Sequence, residues 1–348
     1  MTAQELSWYA LWGATALYAI AMVASSIHLA RVADAKAAAK GKVRSAVGAS
    51  SAGSSAAEGD AATTSARASA IPAEPMRTKA AGIAASTTLV GAVLQGIGVV
   101  ARGIEAGHVP WSTMYEYTIT GTWVAVVVFL IVQRKRDVSY LAPGVTGFAA
   151  IALGLGLTTL YQASTGLQPA LQSFWLVIHV SIAIIATGVF TVAFVATVLQ
   201  LMRDRREDEP VDTAGASNAL IRWGRQWRNA NLRLLKRLRW LEGVPEPEKL
   251  EALSFRLHAV GFVLWTFTVM AGAVWAEHAW GRYWGWDPKE VWSFVIWVIY
   301  AAYLHARTTQ GWAGRRSAYI AVAGFVALLM NFTVVNLVFQ GLHSYAGV

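Results

Sequence analysis

The 348-residue chain contains no cysteine. It therefore exchanges no disulfide, binds no metal through thiolate and forms no thioester, whichever compartment its loops face. Charge is scarce too. Asp, Glu, Lys and Arg make up 14% of the residues against 55% hydrophobic ones, with a mean hydropathy of +0.43, the composition of a membrane protein. The chain shows no internal repeat, P-loop, dinucleotide fingerprint or zinc-protease motif. Met1 to Ser7 carries no basic residue and no small-residue cleavage site follows. The first apolar run is thus expected to be a retained helix rather than a leader.

What the chain does have is runs long enough to cross the ~30 Å hydrocarbon core. They fall at about Leu6–His28, Ala81–Ala101, Thr118–Val132, Tyr140–Tyr161, Phe174–Met202, Ser254–Trp275, Val291–Ala306 and Ala318–Gln340. The expected fold class is an all-α polytopic membrane protein with about eight transmembrane helices. The net charge of +9 does not point to nucleic acid, because of where it lies. If the segment after the first helix is cytoplasmic, 26 of the 29 Lys and Arg residues fall on that side, and only Arg102, Arg282 and Lys289 on the other. That asymmetry is the positive-inside rule. It places both termini, the 102–117 loop and the 275–290 loop outside the cell membrane.

The expected organisation is a first transmembrane helix in 1–30 and a disordered cytoplasmic loop over 31–80, rich in Ala, Ser and Gly. Helices two to five occupy 81–202, a cytoplasmic loop 203–253, and helices six to eight 254–348. In the second cytoplasmic loop, Leu220, Trp223, Trp227, Ala230, Leu234, Leu238 and Leu241 recur at steps of three or four among many arginines. This spacing predicts a basic amphipathic helix on the inner leaflet.

The densest chemistry lies in residues 275–290. Trp275, Trp280, Tyr283, Trp284 and Trp286 crowd a segment that also holds Arg282, Asp287, Lys289 and Glu290. An interfacial aromatic belt accounts for Trp275 and Trp292, but not for Trp280, Trp284 and Trp286. Wide aromatic faces beside a few charges suit a flat apolar ligand with ionised edges, such as a porphyrin. Imidazole is its common axial ligand, and a bis-imidazole pair needs two histidines from separate elements. His179, near the outer end of the fifth crossing, and His343, just after the last, meet that requirement. Arg282 or Lys289 would meet the propionates, with Asp287 and Glu290 bracing those cations or capping the following helix. His305 lies about 20 Å deeper on its helix, too far to share the same iron.

The run Trp280-Gly281-Arg282-Tyr283-Trp284-Gly285-Trp286-Asp287-Pro288-Lys289-Glu290-Val291-Trp292 resembles the WWD signature of haem-handling proteins. With Tyr303-Leu304-His305-Ala306-Arg307, Gly341-Leu342-His343-Ser344-Tyr345, Gly107-His108-Val109-Pro110 and Tyr115-Glu116, it is similar to the CcsA/ResC family (CcsB in some lineages). Those proteins are membrane subunits of the system II cytochrome c synthase. The likeness covers an assembly core over 81–345. Gly285 and Ser112-Thr113 depart from the family's usual Ser or Trp and Ser-Asn. The resemblance implies haem b as bound substrate, His179 and His343 as external haem ligands, and His305 as the ligand of a deeper site completed by a partner. It further implies a ResB-like membrane subunit, apocytochrome c and a thiol-reducing maturation protein as partners. The implied function is haem transport across the membrane and presentation for thioether attachment to apocytochrome c. Two alternatives are a haem exporter or chaperone without ligase activity and a b-type electron-transfer protein.

Overall fold

The computed structural model describes residues 1–51, 78–163, 167, 171–213, 218–309 and 311–343. Among these residues every regular element is a helix. The long helices are α1 (Ala3–Ser51), α2 (Lys79–Ala106), α3 (Met114–Lys135), α4 (Ala142–Thr159) and α5 (Phe174–Arg206). They are followed by α6 (Ala219–Arg237), α7 (Pro247–Trp280), α8 (Pro288–Thr308), α9 (Arg315–Phe332) and the short α10 (Val334–Val338).

Seven of the described helical segments are long and apolar enough to cross a membrane, in α1 to α5, α7 and α9–α10. Helix α8, the expected seventh crossing, is not among them. It spans 21 residues, long enough at ~1.5 Å per residue, but Trp292, Trp297, Tyr300 and Tyr303 dilute its hydropathy. Its pairing with α7 is antiparallel. The Trp265 indole N–H donates to the Ser293 carbonyl, that of Trp297 to Thr266 Oγ1, and His258 packs on Tyr303.

Several boundaries differ from expectation, two of them with consequences for the organisation of the chain. Helix α1 does not stop near His28 but continues through the Ala-rich stretch to Ser51, so the expected disordered loop begins as helix. Alanine is the strongest helix former, and no proline interrupts it before Pro72. The rest of that expectation, residues 52–77, lies outside the described residues. Helix α7 likewise runs five residues beyond Trp275, since Ala276, Glu277 and Ala279 favour helix. It ends where Gly281 adopts a left-handed conformation (φ 66°) and donates its N–H to the Glu277 carbonyl. The aromatic connection is therefore the short stretch 281–287.

Two apolar cores organise the bundle. One is built from α1 to α5 around Leu11, Tyr18, Val126, Phe129 and Leu153. The other joins α5, α7, α8 and α9 around Phe190, Trp265, Ile296, Tyr300 and Phe325. Phe190 stacks on Tyr300 with centroids 4.0 Å apart, and Phe194 on Phe325 at 4.2 Å. Helix α5 contributes to both cores and so carries His179 on the element that joins them.

Candidate haem site

A cavity of about 600 Å³ opens at the end of the bundle where α3, α5 and α8 begin and α4 and α7 end, within the range of small-molecule sites. Trp111 and Thr113 before α3, Leu160 after α4, Trp284 in the α7–α8 connection and His343 after α10 all line it. The 102–117 loop, the aromatic connection and the segment after the last helix thus share one end, as their placement in the sequence led us to expect.

The wall holds both outer histidines. His179 sits in the second turn of α5, after the Ser173 cap whose Oγ accepts the Trp175 N–H. Its Nδ1 lies 2.9 Å from the Thr268 carbonyl oxygen of α7. A carbonyl only accepts, so Nδ1 carries the proton and Nε2 keeps its lone pair. Gly272, one turn further along α7, admits the ring. A Cβ there would stand 2.8 Å from His179 Cε1 and 2.9 Å from Nδ1.

His343 is held by the same logic through a different partner. Its Nδ1 is 2.8 Å from Asp287 Oδ1, and Asp287 Oδ2 also accepts the Leu342 N–H at 2.7 Å. Asp287 is simultaneously the N-cap of α8, with Oδ1 accepting the Lys289 N–H at 3.1 Å. Pro288 at the first helical position and Glu290 complete a capping box. Burial alone would raise the Asp287 carboxyl, but the hydrogen bond from His343 and the Leu342 and Lys289 N–H donors outweigh it. The group stays below the usual carboxylate range. Carbonyl and carboxylate acceptors on Nδ1 fix the tautomer of both rings and leave a free lone pair on both Nε2 atoms. Among the described residues no group of three His, Asp or Glu converges as a metal cage. The donor set is a pair of imidazoles, which fits iron held in a macrocycle.

Trp275 links the two rings. It is 2% exposed, lies parallel to His179 at 5.9 Å and meets His343 edge-on at 5.4 Å. Membrane-belt reasoning had assigned it to the interface, because a Trp at a helix end carries the same sequence signal in either role. Of the three other tryptophans expected at the site, Trp284 lines the cavity. Trp280 packs edge-on against His343 at 4.9 Å and against Trp275 at 4.8 Å. Trp286 is 76% exposed, off the cavity wall, and meets Trp284 edge-on at 5.9 Å. Its φ of 60° is left-handed, an uncommon and costly state for a bulky residue.

The cations divide. Arg282 pairs with Glu290 at 3.2 Å and lies over the Trp280 ring at 5.8 Å. Lys289 lines the cavity and makes no ion pair among the described residues. The departure at Gly285 is explained here, since the Arg282 guanidinium fills the space a side chain would take. The departure at Ser112-Thr113 is benign. Thr113 Oγ1 caps α3 by accepting the Glu116 N–H, and Ser112 Oγ donates to Glu116 Oε2 at 2.7 Å.

That glutamate belongs to a buried group that the sequence did not reveal. Arg102 and Glu116, each 1% exposed, pair at 3.0 Å. Arg102 also reaches Glu105 at 3.3 Å and the Gln162 carbonyl at 3.0 Å. The pair ties α2, the 107–113 loop and the segment after α4 together beside the cavity mouth.

Three further histidines lie away from the cavity. His305 is exposed near the far end of α8 and its ring makes no hydrogen bond among the described residues. His258 is fully buried, with Nδ1 2.9 Å from the Ser254 carbonyl oxygen, and His28 bonds the α2 cap Thr78.

A helical membrane bundle with a paired-imidazole cavity at one end defines a class of cofactor-handling membrane proteins. Comparison with known proteins narrows it. Residues 111–343 match the family described as Cytochrome C assembly protein. A cytochrome c biogenesis protein CcsA of Prochlorococcus marinus is 35% identical over 258 residues, covering 73% of this chain and 80% of that protein. Another CcsA, of Parasynechococcus marenigrum, is 36% identical over 250 residues, covering 71% and 81%. The chain belongs to the cytochrome c assembly family, among its CcsA cytochrome c biogenesis proteins. It is a multi-pass membrane protein with a role in cytochrome c biogenesis.

Proposed function

We propose that the cavity holds haem b as substrate between His179 and His343 and presents it for covalent attachment to apocytochrome c. The observation that carries this reading is the paired tautomer control. Two imidazoles, one from α5 and one from the segment after α10, each with Nδ1 engaged, contact the same buried Trp275. Their Nε2 atoms would saturate the iron and disfavour dioxygen. Trp284 offers an aromatic face, and Lys289, which makes no ion pair among the described residues, suits a propionate.

In the attachment, an apoprotein Cys S–H adds across a haem vinyl group. One C–S bond forms and the thiol hydrogen passes to the other vinyl carbon, with no net redox change. The protein's contribution is orientation and exclusion of competing reactions. His343 is the ligand suited to leave, because it is held on the segment after the last helix and by Asp287 rather than within a packed helix. The distribution of Lys and Arg supports placing the cavity outside the cell membrane.

His305 fits a second, deeper position. It shares an outward stripe of α8 with Phe294 and Val298, which are 48% and 44% exposed. An imidazole facing hydrocarbon is costly, so this stripe suits a ResB-like subunit supplying the opposite ligand. A thiol-reducing protein would keep the apoprotein cysteines available. The deciding experiment is purification of the chain with its partner, haem spectroscopy, and assay of thioether formation on a Cys-x-x-Cys-His substrate. Attachment accompanied by a bis-His spectrum lost on changing either outer histidine supports the reading. Haem binding without attachment would leave a chaperone.

A further inference from the structure

Helix α6 lies outside the cavity and outside the reading of haem chemistry above. It connects the Arg-rich end of α5 to a short 3-10 turn at Arg239–Gly243. That turn is seated on α1, with Leu241 fully buried and the Lys36 ammonium donating to the Gly243 carbonyl at 3.1 Å. The helix is thus tethered at both ends to the far ends of membrane helices, away from the cavity. It begins cleanly, with Asn218 Oδ1 accepting the Ile221 N–H at 2.8 Å.

Only Leu232 of its residues is buried. Leu220, Trp223, Trp227 and Leu234 form one stripe and are 77%, 64%, 60% and 57% exposed. Aqueous exposure of two tryptophans and two leucines on one helix face is unfavourable. The opposite arc carries Arg222, Arg225, Arg228, Arg233, Lys236 and Arg237, with no acidic residue anywhere in the helix. Among the described residues none of these six cations makes an ion pair.

We propose that α6 is a docking surface for an anionic bilayer, its Trp–Leu stripe inserted at the acyl boundary and its cations on phospholipid headgroups. Charge complementarity chooses this occupant over another apolar protein face. An arc of six cations that make no ion pair among the described residues, opposite an apolar stripe, needs dispersed negative charge next to hydrocarbon, and a lipid surface supplies both. Tethering to membrane helices at both ends keeps α6 at that surface.

Because the chain has no native cysteine, nitroxides at Trp227→Cys on the stripe and Gln226→Cys on the polar arc report position without background. The full-length protein is reconstituted in bilayer discs of phosphatidylcholine alone or mixed with phosphatidylglycerol. In anionic discs the label at 227 should collide more with oxygen than with a water-soluble nickel chelate, and the label at 226 should do the reverse. The contrast should shrink in zwitterionic discs and in high salt. Replacing Arg222, Arg228, Arg233 and Arg237 by Gln should weaken docking by about fivefold for each cation removed. If that variant does not fold, the lipid and salt series on the labelled proteins carries the test alone. A label at 227 open to the nickel chelate in anionic discs overturns the proposal. So does protection from both reagents, which would mean a protein surface covers the stripe, and so does a contrast indifferent to lipid charge and salt.

Discussion

One carboxylate joins the first turn of α8 to the segment after the last helix: Asp287 Oδ1 lies 2.8 Å from His343 Nδ1 and 3.1 Å from the Lys289 backbone nitrogen. The residue that starts α8 therefore also aims one proposed iron ligand. Asp287→Asn keeps an acceptor for these donors but removes the charge. Haem retention should fall while the helix content stays, and Asp287→Ala, which removes cap and latch together, should lower both. A capping loss of this kind costs about 1 kcal/mol. Equal haem content in wild type and both variants, measured by pyridine haemochrome, would detach Asp287 from the site.

The pH dependence of this latch has a definite sign. The folded carboxyl is held below its ordinary value, so its contribution is fully present above the unfolded carboxylate value near about pH 4. It is lost as pH falls through the lower folded value. Acid unfolding monitored by tryptophan fluorescence should shift to higher pH in Asp287→Asn. An unchanged acid midpoint would show that the latch does not contribute to stability.

Both outer histidines should be required. His179→Ala or His343→Ala is expected to lower bound haem and abolish cytochrome c assembly, with partial rescue by added imidazole. Gly272→Ala provides a stricter check, because it leaves both ligands in place but pushes a methyl to 2.8 Å from the His179 ring. It should mimic His179→Ala in the haem spectrum. Gly285→Ala displaces only the end of the flexible Arg282 and should leave the axial ligands unaltered. Normal spectra in Gly272→Ala would mean that the ring of His179 is free to move without consequence.

Much of this was legible in the sequence, for identifiable reasons. Apolar length located seven of the eight expected crossings, α8 being the exception, and the aromatic run lies with His179 and His343 at the end of the bundle where the cavity opens. The extension of α1 was missed because low-complexity alanine reads equally as flexible linker or helix. Trp275 was misassigned because its burial depends on α5 and the segment after α10 packing around it, which no local pattern encodes. Arg102 and Glu116, fourteen positions apart on different helices, become a pair only when α2 and α3 fold back on each other.

The tryptophans should therefore separate in experiment. Trp275→Ala removes a buried ring that contacts both histidines and should cost about 3–5 kcal/mol of stability, with Phe tolerated better. Trp284→Ala should weaken haem retention with a smaller effect on folding, since aromatic pairing is worth about 0.5–1.5 kcal/mol beyond area. Trp286→Gly should retain haem and match or exceed wild-type stability, because glycine takes φ 60° without the steric cost. Loss of haem in Trp286→Gly comparable to that in Trp284→Ala would place the exposed ring in the site after all.

His305 supplies the last and most discriminating prediction. It is exposed on α8, about 25 Å along the helix from Pro288 by helix rise, and shares its stripe with Phe294 and Val298. If it serves a deeper position on the route of haem, His305→Ala should reduce the amount of haem reaching the outer cavity. It should leave the spectrum of the haem that arrives unchanged, because His179 and His343 are untouched. Phe294→Ala on the same stripe should weaken partner association without altering either set of ligands. The two effects are separable by measuring copurification of the partner alongside haem content. Full loading, full substrate maturation and an intact complex in His305→Ala would remove the inner position from the mechanism and leave the outer pair as the whole haem site of this chain.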